Sequence, residues 1–153
     1  MVNFLLSKKN FLVYGTYRRK KIQSYLPYTQ NKNFKLFKDF QIDFLKSSKK
    51  LLKIIKKVKP DYIIDFASIC MVNQSWNNPE IYFQTNVLFK AEMLKDLKKI
   101  NFLKKYIYIS TPEVFGLSNK FIHENNNNFN PSTPYATSKL SAEILFKNYF
   151  NFY

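Results

Sequence analysis

Tyr106-Ile107-Tyr108-Ile109-Ser110-Thr111-Pro112-Glu113-Val114-Phe115-Gly116 is the stretch on which the fold turns. Its first five residues read as a buried strand of the kind found inside parallel sheets. The chain then turns polar, and Pro112 and Gly116 mark a break after the strand. Downstream lies Pro131-Ser132-Thr133-Pro134-Tyr135-Ala136-Thr137-Ser138-Lys139. It opens a helical pattern with a tyrosine and a lysine four residues apart, so that both share one helix face. An ammonium beside a phenol stabilises the phenolate. Tyr135 is therefore a candidate acid/base for work near neutral pH, with Lys139 as its partner.

Upstream, Phe11-Leu12-Val13-Tyr14 is a short apolar run ending at Gly15, and Tyr62-Ile63-Ile64-Asp65-Phe66-Ala67 is another. Both read as buried strands. Between them, 46–58 is an amphipathic helix with Leu51, Leu52, Ile55 and Val58 inward, stopped by Pro60. A long helix is expected over 79–99, with Pro79 near its start, and another over 134–149. Residues 27–40 carry little signal. Alternation of strands with helices implies an α/β layer fold in which Phe11–Tyr14, Tyr62–Phe66 and Tyr106–Ser110 are neighbouring parallel strands.

Together, the strand ending in Ser110-Thr111-Pro112-Glu113-Val114-Phe115-Gly116 and the Pro-x-x-Pro-Tyr-x-x-Ser-Lys segment resemble the extended short-chain dehydrogenase/reductase family, in its nucleotide-sugar epimerase and 4,6-dehydratase branch. The resemblance runs from about Asn10 to the end and is clearest from Asp61 to Lys139. It implies a Rossmann-like three-layer sandwich with a parallel sheet, incomplete at the C-terminus. On this reading 1–153 is a partial NAD(P)-binding domain whose C-terminal substrate domain is absent.

The resemblance also assigns roles. Tyr135 would be the base that takes a sugar hydroxyl proton while NAD (or NADP) takes the hydride. Lys139 would tune Tyr135 and bond the nicotinamide ribose. Thr111 would orient the sugar hydroxyl. Glu113 matches the carboxylate that removes the proton next to the new carbonyl in 4,6-dehydratases. Gly15 matches the first glycine of the cofactor turn. Asp43 and Phe44 lie in a Gln41-Ile42-Asp43-Phe44 segment resembling one near the adenine, although Asp43 as a helix cap is the alternative. Phe66 and Ala67 match residues passing under the cofactor, and Thr85, with Asn86, matches a pair that supports the site.

Two departures count against full activity. The second and third glycines of the cofactor turn are replaced by Arg18 and Lys21, and a side chain at the second position blocks close approach of backbone to phosphate. Weakened cofactor binding is the expectation. Pro112 stands where dehydratases often have an aspartic acid, and it cannot donate a proton. An epimerase, a decarboxylase or a variant dehydratase fits as well. Two functional readings follow: an enzyme of nucleotide-sugar modification in truncated form, and a non-catalytic remnant or binding module that keeps the fold.

The totals exclude several other classes. In 153 residues with 46% hydrophobic content, no apolar run is long enough to span a membrane. The single Cys70 allows no internal disulfide, which points to a reducing, cytoplasmic setting. His123 has no cluster of metal ligands around it. The net charge of +15 is lysine spread along polar helix faces, so no specific nucleic-acid partner is expected. The expected partners are a nucleotide-sugar substrate and either a second copy of the chain or a separately encoded C-terminal half. The apolar residues Val87, Leu88, Ala91, Leu94 and Leu97 on one long helix, and Leu140, Ile144, Leu145 and Phe146 on the other, cover more than one face.

Overall fold

The computed structural model describes residues 1–8, 10–18, 24–43 and 48–152. The chain divides into two compact units, Met1–Ser47 and Ser48–Tyr153.

The first unit holds helix α1 (Val2–Ser7), strand β1 (Val13–Tyr17) and strand β2 (Phe37–Gln41). The strands pair in parallel, with Gly15 opposite Asp39. The first strand starts later than its apolar run predicts. Phe11 and Leu12 are exposed, whereas Val13 is buried. The ladder carries on through Gly15 to Tyr17, so Gly15 sits inside the strand and not in a turn after it. Its lack of a side chain has a local reason: a Cβ there would lie 2.7 Å from the Phe37 ring. Phe37 packs against Tyr28 and Phe34, with ring centroids 5.2 Å and 5.9 Å away. Beyond the strand ends, the Ile42 N–H donates to the Tyr17 carbonyl at 2.9 Å, and Ile42 is buried.

The second unit begins with α2 (Ser48–Val58). Leu52 and Ile55 are its buried face, and Lys49, Lys50, Lys53, Lys56 and Lys57 lie among its remaining positions. The helix ends at Lys59, whose φ of 49° is left-handed, just ahead of Pro60, which cannot continue it. Strands β3 (Tyr62–Asp65) and β4 (Lys105–Tyr108) are parallel neighbours, Ile63 opposite Tyr106 and Asp65 opposite Tyr108. Parallel pairing requires a long crossover. It is made by α3 (Val72–Asn77), α4 (Pro79–Phe83), a π-helical turn (Gln84–Leu88) and α5 (Phe89–Leu97). The expected single helix over 79–99 is therefore interrupted by a wide turn at its centre.

Helix α6 (Pro134–Phe152) closes the unit. Its start is built from the sequence: the Thr133 hydroxyl accepts from the Ala136 N–H at 3.1 Å, and Pro134 takes the first position, where no N–H is needed. Phe146 stacks on Tyr106 and Tyr108 at 4.8 Å and 4.9 Å. A core of Leu52, Ile55, Met93 and Leu97, with Ile63, Tyr106 and Phe146 against it, joins helices to sheet. Each unit has a parallel strand pair with helices: β3 and β4 are neighbours as expected of Tyr62–Phe66 and Tyr106–Ser110, the latter ending early at Tyr108, whereas the described partner of β1 is β2, a strand that residues 27–40 did not announce. All the acid/base candidates fall in the second unit. Among the described residues no helix is long and apolar enough to cross a membrane.

Candidate active site

The chain leaves β4 at Tyr108 and reaches a short 3-10 turn over Pro112–Phe115. Thr111 caps that turn, its hydroxyl accepting from the Glu113 N–H at 3.5 Å. Gly116 ends it with φ 67°, and a Cβ there would stand 2.2 Å from the Asn130 carbonyl oxygen. The backbone closes against the loop at that point, where the Asn130 N–H donates to the Val114 carbonyl at 2.9 Å. The Ser110–Gly116 segment is thereby held at the C-terminal end of its strand, the edge where open α/β sheets present ligands.

Tyr135 sits in the first turn of α6 and is buried. Burial raises its pKa above the ordinary value, the Thr111 side chain pulls it down, and the charge of Glu113 raises it again. Tyr82 meets the Tyr135 ring edge-on at 6.3 Å, and its own hydroxyl donates to the Met71 carbonyl.

Lys139 lies one turn further along α6 and is 2% exposed. Its Nζ donates to the Ile109 carbonyl at 2.5 Å and to Ser68 Oγ at 3.4 Å, and stands 4.3 Å from the centre of the Tyr108 ring. Burial pulls its pKa down to about 8. The expected relation, Lys139 lowering the Tyr135 pKa, is not among the influences on the phenol, whose direction burial sets. The Lys139 ammonium is taken up by backbone instead.

The turn after β3 reaches Lys139 through Ser68. Phe66 is exposed and Ala67 is half-buried. The strand stops at Asp65, one residue short of expectation, because the Asp65 carboxylate turns back to accept the Ala67 N–H at 2.9 Å. Asn86 clamps the same turn: its Oδ1 accepts from the Ile69 N–H at 2.9 Å and its Nδ2 donates to the Ile69 carbonyl at 3.1 Å and to Ser138 Oγ at 3.0 Å. Ser138 in turn donates to the Tyr135 carbonyl at 2.7 Å. The π-helical turn carries both Thr85 and Asn86 to buried positions.

The structure therefore brings together Thr111, Glu113, Tyr135, Lys139, Ala67 and Thr85 in one unit. Gly15 and Asp43 belong to the first unit. Phe44 and Lys21 lie outside the described residues. Four residues went unassigned in the sequence reading: Ser110, Asp65, Lys90 and, beyond a supporting role, Asn86. Asp65 had a signal, a carboxylate inside an otherwise apolar strand, which demands a partner. Lys90, four residues after Asn86 on the same helix, supplies it at 2.5 Å.

Three buried polar atoms have no hydrogen-bond partner among the described residues: Thr85 Oγ1, Ser110 Oγ and Glu113 Oε2. Buried polar groups are ordinarily satisfied. Two of these, on Ser110 and Glu113, flank Thr111 in sequence, so a ligand rich in hydroxyls fits the donors and acceptors present. Among the described residues no cluster of His, Cys, Asp or Glu could hold a metal ion.

The chain is similar to known proteins in sequence and in fold. A family model described as GDP-mannose 4,6 dehydratase matches residues 1–153. A dTDP-D-glucose 4,6-dehydratase of Dictyostelium discoideum is 33% identical over 129 residues, covering 77% of this chain and 29% of its own length. A GDP-mannose 4,6-dehydratase of Vibrio cholerae is 26% identical over 159 residues, covering 97% of this chain and 41% of its own length. Among solved structures, a UDP-glucuronic acid 4-epimerase from Bacillus cereus, in complex with UDP-glucuronic acid and NAD, has a TM-score of 0.76 at 25% identity, covering 99% of this chain and 48% of that one. A UDP-glucose 4-epimerase from Brucella ovis with NAD has a TM-score of 0.79 at 21% identity, over 99% of this chain and 44% of that one. The chain spans less than half the length of each of these relatives.

Proposed function

Because this chain belongs to the GDP-mannose 4,6 dehydratase family, we propose that it carries the acid/base centre of an NAD-dependent epimerase or dehydratase acting on a nucleotide sugar. The observation that supports this reading most is the buried Tyr135, its phenol influenced by Thr111 and Glu113 of the turn after β4, with buried Lys139 one helical turn away. NAD, when bound, supplies the hydride acceptor and later the donor. The chain's own residues handle the protons. Thr111 orients the sugar hydroxyl, and Tyr135 Oη takes its proton. With its pKa raised by burial, the phenol is protonated at neutral pH. Base work therefore depends on positive charge gathering beside it on ligand binding. Lys139, one turn along the same helix, is the candidate for that charge.

In a dehydration, Glu113 Oε2, buried and without a hydrogen-bond partner among the described residues, would take the proton from the carbon beside the transient carbonyl. Pro112 beside it has no acid to help water leave, which favours epimerisation, a reaction that makes no use of Glu113 as a carbon base. Mixing the chain with NAD and a nucleoside-diphosphate hexose tests this: the absorbance of reduced nicotinamide should appear transiently, and Tyr135→Phe should abolish it. A second reading, a binding module without turnover, is favoured by Arg18, which follows β1 where a glycine would admit phosphate. It requires ligand binding with no reduced nicotinamide at any time.

Leu88, Ile144 and Phe150 are exposed apolar residues of the long helices. We assign them to an interface with a second copy of the chain. Light scattering should give the mass of a dimer, and a monomer at micromolar concentration would exclude it.

A further inference from the structure

We propose that Asp65 and Lys90 form a buried charge pair that positions Lys139, with Asp65 bonded to Ile109, one acceptor of the Lys139 ammonium, and to Ala67, the neighbour of the other. The inference builds on the function proposed above. Asp65 acts through main chain and side chain together. Its carbonyl accepts from the Ile109 N–H at 3.1 Å, and the Ile109 carbonyl is the acceptor for Lys139 Nζ at 2.5 Å. Its Oδ1 holds the Ala67 N–H at 2.9 Å, and the next residue, Ser68, is the second acceptor for Lys139 Nζ. Across the sheet Asp65 is opposite Tyr108, whose ring lies 4.3 Å from the same nitrogen. The described contacts of the Lys139 ammonium are thus a direct hydrogen-bond partner of Asp65, the neighbour of another, and the residue opposite it across the sheet.

The other carboxylate oxygen is fixed in turn. Asp65 Oδ2 accepts from Lys90 Nζ and from Tyr106 Oη, both at 2.5 Å. Asp65 is 6% exposed and Lys90 1%. Taking both charges out of water costs as much as their attraction returns, and an apolar pair of equal volume would hold the sheet as well. Stability alone therefore does not account for the pair. Its location gives it a second effect. The groups acting on Lys139 are Asp65 from β3, Lys90 from α5, Cys70 from the turn after β3 and Glu143 from its own helix. Asp65 favours the charged ammonium and Lys90 opposes it.

The test is an NMR titration of the full chain carrying isotope-labelled lysine, with the Lys139 signal assigned by Lys139→Arg. Asp65→Asn keeps the shape and removes the negative charge, and Lys90→Met keeps the length and removes the positive one. The wild-type midpoint is expected at about 8. It should move down in Asp65→Asn, up in Lys90→Met, and back toward the wild-type value in the double variant. A purely structural pair would give no such opposition of sign, so midpoints that stay put or move together in both folded single variants overturn the proposal. If Asp65→Asn does not fold by circular dichroism, Lys90→Met decides alone: an upward move supports the pair and a fixed midpoint removes it. NAD titration of the same proteins gives the second readout, with affinity expected to fall about tenfold or more in Asp65→Asn, the equivalent of one charge-assisted hydrogen bond. Failure of the wild-type chain to bind NAD would count against the proposed function, while the lysine midpoints would still decide the charge pair.

Discussion

The ammonium of Lys139 is hydrogen-bonded to the backbone carbonyl of Ile109 at 2.5 Å, which ties helix α6 to the end of strand β4 immediately before the Ser110–Gly116 turn. The bond explains how a lysine that is 2% exposed can stay charged at neutral pH, and it fixes where that charge stands relative to Tyr135 on the same helix.

The bond has a consequence for stability. The folded-state pKa of Lys139 is down at about 8, against an ordinary 10.5. Between those values the unfolded chain binds more protons than the folded one, so stability from this group rises with pH across that window and is flat below it. Tyr106 and Tyr135 run the other way. Their pKa values are raised above 10.0 by burial, so their contribution is lost as pH climbs beyond that. The melting temperature should rise from pH 8 toward 10 and then fall. Lys139→Met should flatten the rising limb, as thermal melts across that range would show.

Thr111 and Glu113 act on Tyr135 with opposite signs. Thr111 lowers the Tyr135 pKa and Glu113 raises it. Thr111→Val is expected to move the Tyr135 ionisation to higher pH and Glu113→Gln to lower pH, followed by NMR of labelled tyrosine with Tyr135→Phe as the assignment control.

Gly116→Ala should cost about 2 kcal/mol or more, because a side chain would have to occupy a left-handed backbone and displace the Asn130 carbonyl. Gly15→Ala meets only the far end of the Phe37 ring, so it should cost roughly 1–3 kcal/mol as overpacking. A second substitution, Phe37→Leu, should return part of that loss. Denaturant unfolding of the three variants distinguishes backbone strain from a side-chain clash.

Asn86→Ala should destabilise by about 2–3 kcal/mol, since it leaves the Ile69 main chain and Ser138 without their partner in a buried setting. Hydrogen exchange at Ile69 should accelerate with it, while exchange in the β1–β2 pair should be unchanged.

What the sequence revealed of this fold followed the strength of its periodic patterns. The strands around Tyr62–Asp65 and Tyr106–Tyr108, the Leu52/Ile55 face and the Thr133-Pro134 helix start were all legible, because apolar runs and caps are local signals. Strand β2 was not. In Phe37-Lys38-Asp39-Phe40-Gln41 the aromatic residues are three apart, neither a strand's alternation nor a run, and the ladder with β1 is a non-local fact. The place of Gly15 was misjudged for a related reason: the apolar run pointed to a strand ending at Tyr14, whereas pairing with β2 extends it to Tyr17. At the site, Tyr135 and Lys139 were legible from their spacing. Asp65 stood out only as a carboxylate in an apolar strand, and nothing in the segment around Lys90 marked it as the partner, because a buried ion pair joining a strand to a helix is a non-local fact.

Calorimetric titration of the chain with NAD tests the central claim most directly, run beside Lys139→Met as the control. Saturable one-to-one binding, absent or much weakened in Lys139→Met, is the expected result. A folded chain that shows no heat of binding at millimolar NAD, or one whose binding is indifferent to Lys139, would contradict the placement of cofactor and acid/base chemistry at Tyr135, Thr111 and Lys139.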